Sequence, residues 1–185
     1  MTTEDYKKSL TVFIPCAGSG LRMREFTKYK NKALINFKNK PIISHIIDLY
    51  PKNTSFIIAI GYKGKILQQY LHLIHNDRNI KIVSIKNYKG KNSGLTYTLN
   101  KCRNFLQKNF IFHACDTLIT KKEINTLINN KKNLILASKK KNFYKYRRIF
   151  SKNDICIKIK EFKKKNKLQP SYIGVSKIID FKEFW

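Results

Sequence analysis

Acidic residues are scarce in this sequence. Eleven Asp and Glu stand against 39 Lys and Arg in 185 residues, for a formal net charge of +28. Only positions 22, 24, 78, 103, 147 and 148 are Arg; the other basic residues are Lys. A surplus of this size suits a polyanionic partner, either a nucleic acid or a small phosphorylated substrate. Zinc-finger, RNP and basic-zipper patterns are absent. The lysines are scattered along the whole chain, whereas a specific reader of nucleic acid gathers arginines on one face. Lys, Asn and Ile are abundant together, as an AT-rich genome would produce, and the charge is read as compositional drift. No specific nucleic acid is expected as a partner.

Long apolar runs are also missing. The longest, FIIAI and LILA, are too short to cross a bilayer, so no membrane partner is expected. The opening MTTEDYKKSL carries acids and no apolar core, and it is not read as a secretory signal. Cysteine is limited to Cys16, Cys102, Cys115 and Cys156, without CxxC spacing, which argues against a metal cluster. Three of them lie in apolar or strand-like surroundings, as reduced, buried thiols of a cytoplasmic protein would. There is no internal repeat and no interdomain linker. Hydrophobic residues make up 42% of the chain. That is enough for a single domain over residues 1–185 with a real core.

What is present is an alternation of apolar strands and amphipathic helices. Leu10 to Cys16, SFIIAI, IKIVSI, NFIFHAC and NLILAS read as five strands. PIISHIIDLY, GKILQQYLHLIH, SGLTYTLNKCRNFL and KKEINTLINN read as the helices between them. The strands are apolar throughout, as in a mostly parallel sheet covered on both faces. The fold class expected is a Rossmann-like, three-layer α/β/α domain. After Ser138 the rhythm changes. YRRIFS and DICIKIKEF read as a β-hairpin inserted after the fifth strand, with its turn at KND. KKKNKLQP reads as an exposed loop, SYIGVSKI as a further strand, and DFKEFW as the start of a helix.

Three places carry chemistry. The first is IPCAGSGLRMREFTKYKNKAL, from Ile14 to Leu34. A glycine turn after the first strand lies at the carboxyl edge of the sheet, where α/β domains bind ligands. Gly18 and Gly20 let backbone N–H groups approach phosphate oxygens, and Arg22 and Lys32 supply the charge a polyphosphate requires. The loop is neither a P-loop, lacking GK[ST], nor a GxGxxG fingerprint, and glycine turns of this kind also occur without a ligand. The second place is Asp116, directly after FIFHAC, with no other acid between Asp77 and Glu123. An isolated carboxylate at that edge is positioned to hold Mg²⁺; a turn or helix cap is its structural alternative. The third is NYKGKNSGLTYTL, where Gly94 permits close approach of a flat ring or a phosphate, or Ser93 simply caps a helix.

These segments, in this order, resemble the sugar-1-phosphate nucleotidylyltransferases, the glucose-1-phosphate thymidylyltransferase-like group. CAGSGLRM followed by KALINFKNKPIISHII is similar to that family's opening motif. IIAIGYKGKILQQYL, NSGLTYTL, FIFHACDTLI and YIGVSKIIDF resemble its later units, so the likeness covers nearly the whole chain. The resemblance implies transfer of a nucleoside monophosphate from an NTP to a sugar 1-phosphate or similar phosphorylated head group, with Mg²⁺ as cofactor and pyrophosphate released, for activated-sugar synthesis. It implies that Ala17, Gly18, Ser19 and Gly20 line the triphosphate and that Arg22 binds its β- and γ-phosphates. Lys32 would lie near the α-phosphate, Gly94 by the base and Asp116 on the metal. Glu161, Lys163 and Gly174 would meet the sugar phosphate. The expected chemistry is in-line phosphoryl positioning without a protein nucleophile, so His113 is expected to be a packed residue.

Three departures from the resembled pattern stand out. Asn31 occupies the place of a proline. The acid–lysine–proline motif appears as EFKKK, so that Lys164 competes with Lys163. A second metal aspartate expected after the last strand is not in the chain, which would make it a C-terminally incomplete domain, a short form with one metal ligand, or an inactive one. The competing classes are a non-catalytic nucleotide- or nucleic-acid-binding module and a glycosyltransferase of related fold. The latter would want a DxD-type pair, of which CDTL holds one aspartate.

Overall fold

The computed structural model describes residues 10–139, 146–161 and 169–185, and only the backbone of Arg22 and Arg24. Lys163, Lys164 and most of the KKKNKLQP stretch lie outside the described residues. One eight-stranded sheet organises the rest. Its parallel half is β5 (Asn79–Ser84), β4 (Ser55–Ile60), β1 (Thr11–Cys16) and β6 (Phe110–His113), in that order. The short strands β2 (Asn36–Phe37) and β3 (Lys40–Pro41) form a separate two-residue ladder.

Alternate residues of the central strands feed two cores. Val12, Ile14 and Cys16 of β1, with Phe56, Ile58 and Ile60 of β4, pack against helices α1 (Ile42–Leu49), α2 (Gly64–Ile74) and α4 (Lys121–Asn129). Phe13 of β1 and Ile57 and Ala59 of β4 face the other way, onto α3 (Leu95–Cys102), Leu106 and the short α5 (Phe181–Phe184) with Trp185. Burying each of the Val, Ile, Leu and Phe side chains among them contributes roughly 1.5–3 kcal/mol. The three layers expected from the apolar strands are therefore present.

The helices follow local signals. In α1, Ile43, Ile46 and Ile47 recur at helical spacing and are fully buried. Its C-terminal end is held by the Arg78 guanidinium, which donates to the Ile47 oxygen of the last turn and to the Tyr50 and Pro51 oxygens just beyond it. Helix α4 starts at a capping box between Thr120 and Glu123.

The antiparallel half is where the structure departs from a simple parallel succession. The fifth strand expected from the sequence, β7 (Leu134–Ser138), does not pair with β6. Strand β10 (Ser171–Ile178) lies between them and runs antiparallel to both. Its later residues sit between β6 and β7, while Ser171 also pairs with Arg148 of β8 (Arg148–Lys152). The register slips between Tyr172 and Ser176, around Gly174 at φ 87°. This bulge lets one strand serve both neighbours. The expected hairpin is β8 and β9 (Ile155–Lys160), closed by Asn153 and Asp154, both in the left-handed region that such two-residue turns require.

Candidate active site

The carboxyl ends of β1, β4, β5 and β6 share one edge, and the glycine loop leaves β1 there. Two of its glycines answer different needs. Gly20 has φ 66°, and a Cβ at that position would lie 2.8 Å from Thr27 Cγ2. Thr27 Oγ1 in turn donates to the Gly20 carbonyl, closing a 3₁₀ turn over Leu21–Thr27. A Cβ at Gly18 would meet nothing within 4 Å, so its backbone faces open space. Gly61, directly after β4, is the tightest neighbour. A Cβ there would come within 2.7 Å of the Ala17 carbonyl, which already accepts from Tyr62 N–H.

Lys32 begins a second 3₁₀ turn, Lys32–Leu34. Asn31 before it is fully buried and joins three backbone segments. Its Nδ2 donates to the carbonyls of Cys16 and Tyr62, each at 2.7 Å, and its Oδ1 accepts from Ala33 N–H at 3.0 Å. The Lys32 ammonium then reaches across to Asp116, 3.1 Å from Oδ2. Burial works to lower the Lys32 pKa; the Cys115 sulfur and the Asp116 carboxylate overcome it and raise it above the ordinary lysine value. Lys32 is therefore a cation throughout the physiological range.

His113, at the end of β6, is buried between two partners. The Thr117 carbonyl can only accept, so Nε2 carries the proton, and Nδ1 accepts from the Tyr50 hydroxyl. Desolvation lowers its pKa to about 4, against smaller raising effects of Thr117 and Asp116. It is the packed histidine expected, with both nitrogens engaged.

Two cavities open on this edge and share Gly18, Ser19, Lys32 and Ala114. The first, of about 400 Å³, is bounded by Ala17, Tyr88, Gly94, Thr98 and Phe112. The second, of about 990 Å³, is bounded by Gly20, Asp116, Thr117, Arg147, Glu161 and Gly174. Both volumes fall in the range of small-molecule sites. Gly94, at φ 129°, occupies a backbone region open to glycine and begins α3. Ser93, the alternative cap, instead donates to the Gly90 carbonyl. Gly174 approaches Ala114 so closely that a Cβ would sit 2.9 Å from the Ala114 Cβ. Glu161 is exposed and accepts from the Arg147 guanidinium at 3.2 Å.

Ala17, Gly18, Ser19, Gly20, Lys32, Gly94, Asp116, Glu161 and Gly174 thus all border one or both of two adjoining cavities. The Arg22 backbone runs beside them in the 3₁₀ turn; its side chain lies outside the described residues, as does Lys163. Asn31 as a positioning group, and Gly61, Tyr88, Thr117 and Arg147, are not among the residues that the sequence singles out. Gly61 had a signal, a glycine directly after a buried apolar run. Arg147 had none, since its neighbours read only as strand. Among the described residues no three His, Cys, Asp or Glu side chains cluster as a metal cage. No helix among them is long and apolar enough to cross a membrane.

No protein-family model matches the chain. Over 59 residues it is 37% identical to the glucose-1-phosphate cytidylyltransferase of Salmonella typhimurium; the match spans 31% of this chain and 23% of that protein. The matched stretch is thus under a quarter of the relative's length. Among solved structures, UDP-glucose pyrophosphorylase complexed with UDP-glucose superposes with a TM-score of 0.74 at 16% identity, over 94% of this chain and 78% of the other. The inositol-1-phosphate CTP transferase from T. maritima superposes with a TM-score of 0.72 at 14% identity, over 93% of this chain and 71% of the other. The likeness to the sugar-1-phosphate nucleotidylyltransferases is therefore one of whole fold and, over one segment, of sequence.

Proposed function

We propose that this chain is a nucleotidyltransferase that transfers a nucleoside monophosphate from an NTP to a sugar 1-phosphate or similar phosphorylated head group in the cytoplasm. The observation that carries this reading is the pair of cavities meeting at Gly18, Ser19 and Lys32. A triphosphate laid along the loop would place its base beside Tyr88 and Gly94 and its α-phosphate at the shared wall. The acceptor phosphate would enter from the second cavity, on the side of Glu161 and Gly174.

In the reaction, an oxygen of the acceptor phosphate forms a bond to the α-phosphorus. The bond from the α-phosphorus to the bridging oxygen breaks, and pyrophosphate leaves with the electron pair. Little covalent work falls to the protein, so positioning and charge neutralisation supply the rate. Lys32 is assigned to the charge that develops on the α-phosphate. The backbone from Ala17 to Gly20 is assigned to the triphosphate, and Arg22 to its β- and γ-phosphates. Lys163, or Lys164 in its stead, is assigned to the acceptor phosphate.

The Asp116 carboxylate, partly exposed at the mouth of the second cavity, fits a Mg²⁺ brought in with the triphosphate. That ion is commonly held by one or two carboxylates plus phosphates and waters. When bound, the ion would offset charge on the phosphate oxygens. The test is a matrix of each NTP against several sugar 1-phosphates and phosphocholine, with Mg²⁺ present and pyrophosphate release followed. Turnover with one pair is expected. NTP binding without release in any combination would favour a binding module instead.

A further inference from the structure

We infer that Asn31 is the positioning residue of this site, holding Lys32 at the wall shared by the two cavities and locking the end of β1 to the end of β4. It replaces the proline that the resembled family carries there. The backbone explains why the exchange is possible. Asn31 has φ −65° and ψ 145°. That φ is the one a proline ring imposes. What proline lacks is a hydrogen-bonding side chain, and here the side chain makes the links to Cys16, Tyr62 and Ala33.

The amide can sit only one way. Its NH₂ faces two carbonyl oxygens, Cys16 and Tyr62, and its oxygen faces the Ala33 N–H. Turned over, it would oppose oxygen to oxygen twice and N–H to N–H once. Tyr62 is thereby fastened on both sides: its N–H donates to the Ala17 carbonyl and its C=O accepts from Asn31. The glycine loop thus begins on a backbone clamped between β1 and β4. The Oδ1 bond caps the turn from which the Lys32 side chain leaves. A buried group with three satisfied bonds is costly to disturb, since each lost partner leaves a desolvated carbonyl or N–H behind.

Asn31→Ser retains an oxygen able to cap the turn but drops both donations. Asn31→Pro retains φ and drops the whole connection. The first measurement is trace acetylation of the folded proteins with acetic anhydride, with peptide mass mapping of Lys32 against the exposed Lys65. In both variants Lys32 is expected to label at least fivefold faster relative to Lys65 than in the unsubstituted protein. The second, which rests on the proposed reaction, is steady-state kinetics: kcat is expected to fall tenfold or more while KM for NTP changes less than threefold. An unchanged Lys32-to-Lys65 ratio in either folded variant overturns the inference and leaves Asn31 a structural residue. Absence of turnover in the unsubstituted protein counts against the proposed reaction, and the labelling ratio still decides the role of Asn31.

Discussion

The Lys32 ammonium donates to Asp116 Oδ2 over 3.1 Å, joining a turn after β1 to the loop after β6. The two residues are far apart in sequence and meet because their strands are parallel neighbours. The pair is partly exposed, so its own contribution to stability is small. Its value is in holding the Lys32 cation at the wall shared by the two cavities and the Asp116 anion on the second.

Replacing Lys32 by Ala is expected to lower turnover on the order of 100-fold or more, the usual effect of losing one contact to developing charge. The melting temperature is expected to stay nearly unchanged. Asp116→Asn is expected to abolish the gain in NTP affinity that Mg²⁺ provides, with the fold intact. Calorimetry with Mg²⁺ and with chelator checks this. Equal affinities under both conditions in the unsubstituted protein would remove the metal assignment.

The glycines separate into two classes with different readouts. At Gly18 an added methyl points into open space, so Gly18→Ala is expected to leave thermal stability unchanged and weaken NTP binding. At Gly174 the same methyl meets Ala114 and the backbone sits at φ 87°. A side chain forced into that region costs about 2 kcal/mol, and Gly174→Ala is expected to lose stability on that order. Thermal melts of the two variants, beside NTP titrations, distinguish them. A Gly18→Ala protein that melts early would contradict the open geometry.

Acid is expected to destabilise the protein in part through His113, with the buried His75, whose pKa desolvation also lowers, adding to the effect. The folded pKa of His113 is near 4, below the ordinary value of 6.5, so the folded state favours the neutral ring. The stability this provides is complete above pH 6.5 and is lost as pH falls from there towards 4. A shift of this size corresponds to about 3 kcal/mol. Urea titrations at pH 7.5 and pH 4.5 are expected to show the loss, and His113→Gln is expected to reduce that dependence while lowering stability at pH 7.5. A midpoint unchanged between the two pH values would show that His113 is not buried neutral.

Cys156 is exposed on β9, whereas Cys16, Cys102 and Cys115 are buried. One fast thiol is therefore expected with Ellman's reagent in the folded protein, and four in urea. Fast modification of Cys115, which lines the first cavity at 1% exposure, would mean that the cavity opens wider in solution.

Much of this site could be read from the residues because its signals are local. Gly18, Gly20 and Asp116 follow closely on buried apolar runs, and an apolar run in an α/β domain ends at the binding edge. Gly94 was legible as a glycine at the start of a helical pattern. What could not be read depends on partners remote in sequence. Asn31 takes its meaning from Cys16, 15 residues before it, and Tyr62, 31 residues after it. Neither distance leaves a periodic trace. The Arg147–Glu161 pair depends on how the hairpin aligns. The place of β10 between β6 and β7 is a choice among strand neighbours that local propensity does not make.

That placement has a consequence for how the chain acquires its shape. Every strand of the parallel half has been made once His113 emerges from the ribosome. The antiparallel half is different: β7 and β8 join the sheet only through β10, which is made after both of them. β7 must therefore wait with unpaired backbone, and the β8–β9 hairpin without its neighbour in the sheet, until residues 171–178 emerge. Contacts of long sequence separation close slowly. The nascent protein passes through a stage with the strands that carry the glycine loop, Lys32 and Asp116 already made and the wall of the second cavity still unbuilt, and it is in that interval that aggregation is the greatest danger to it.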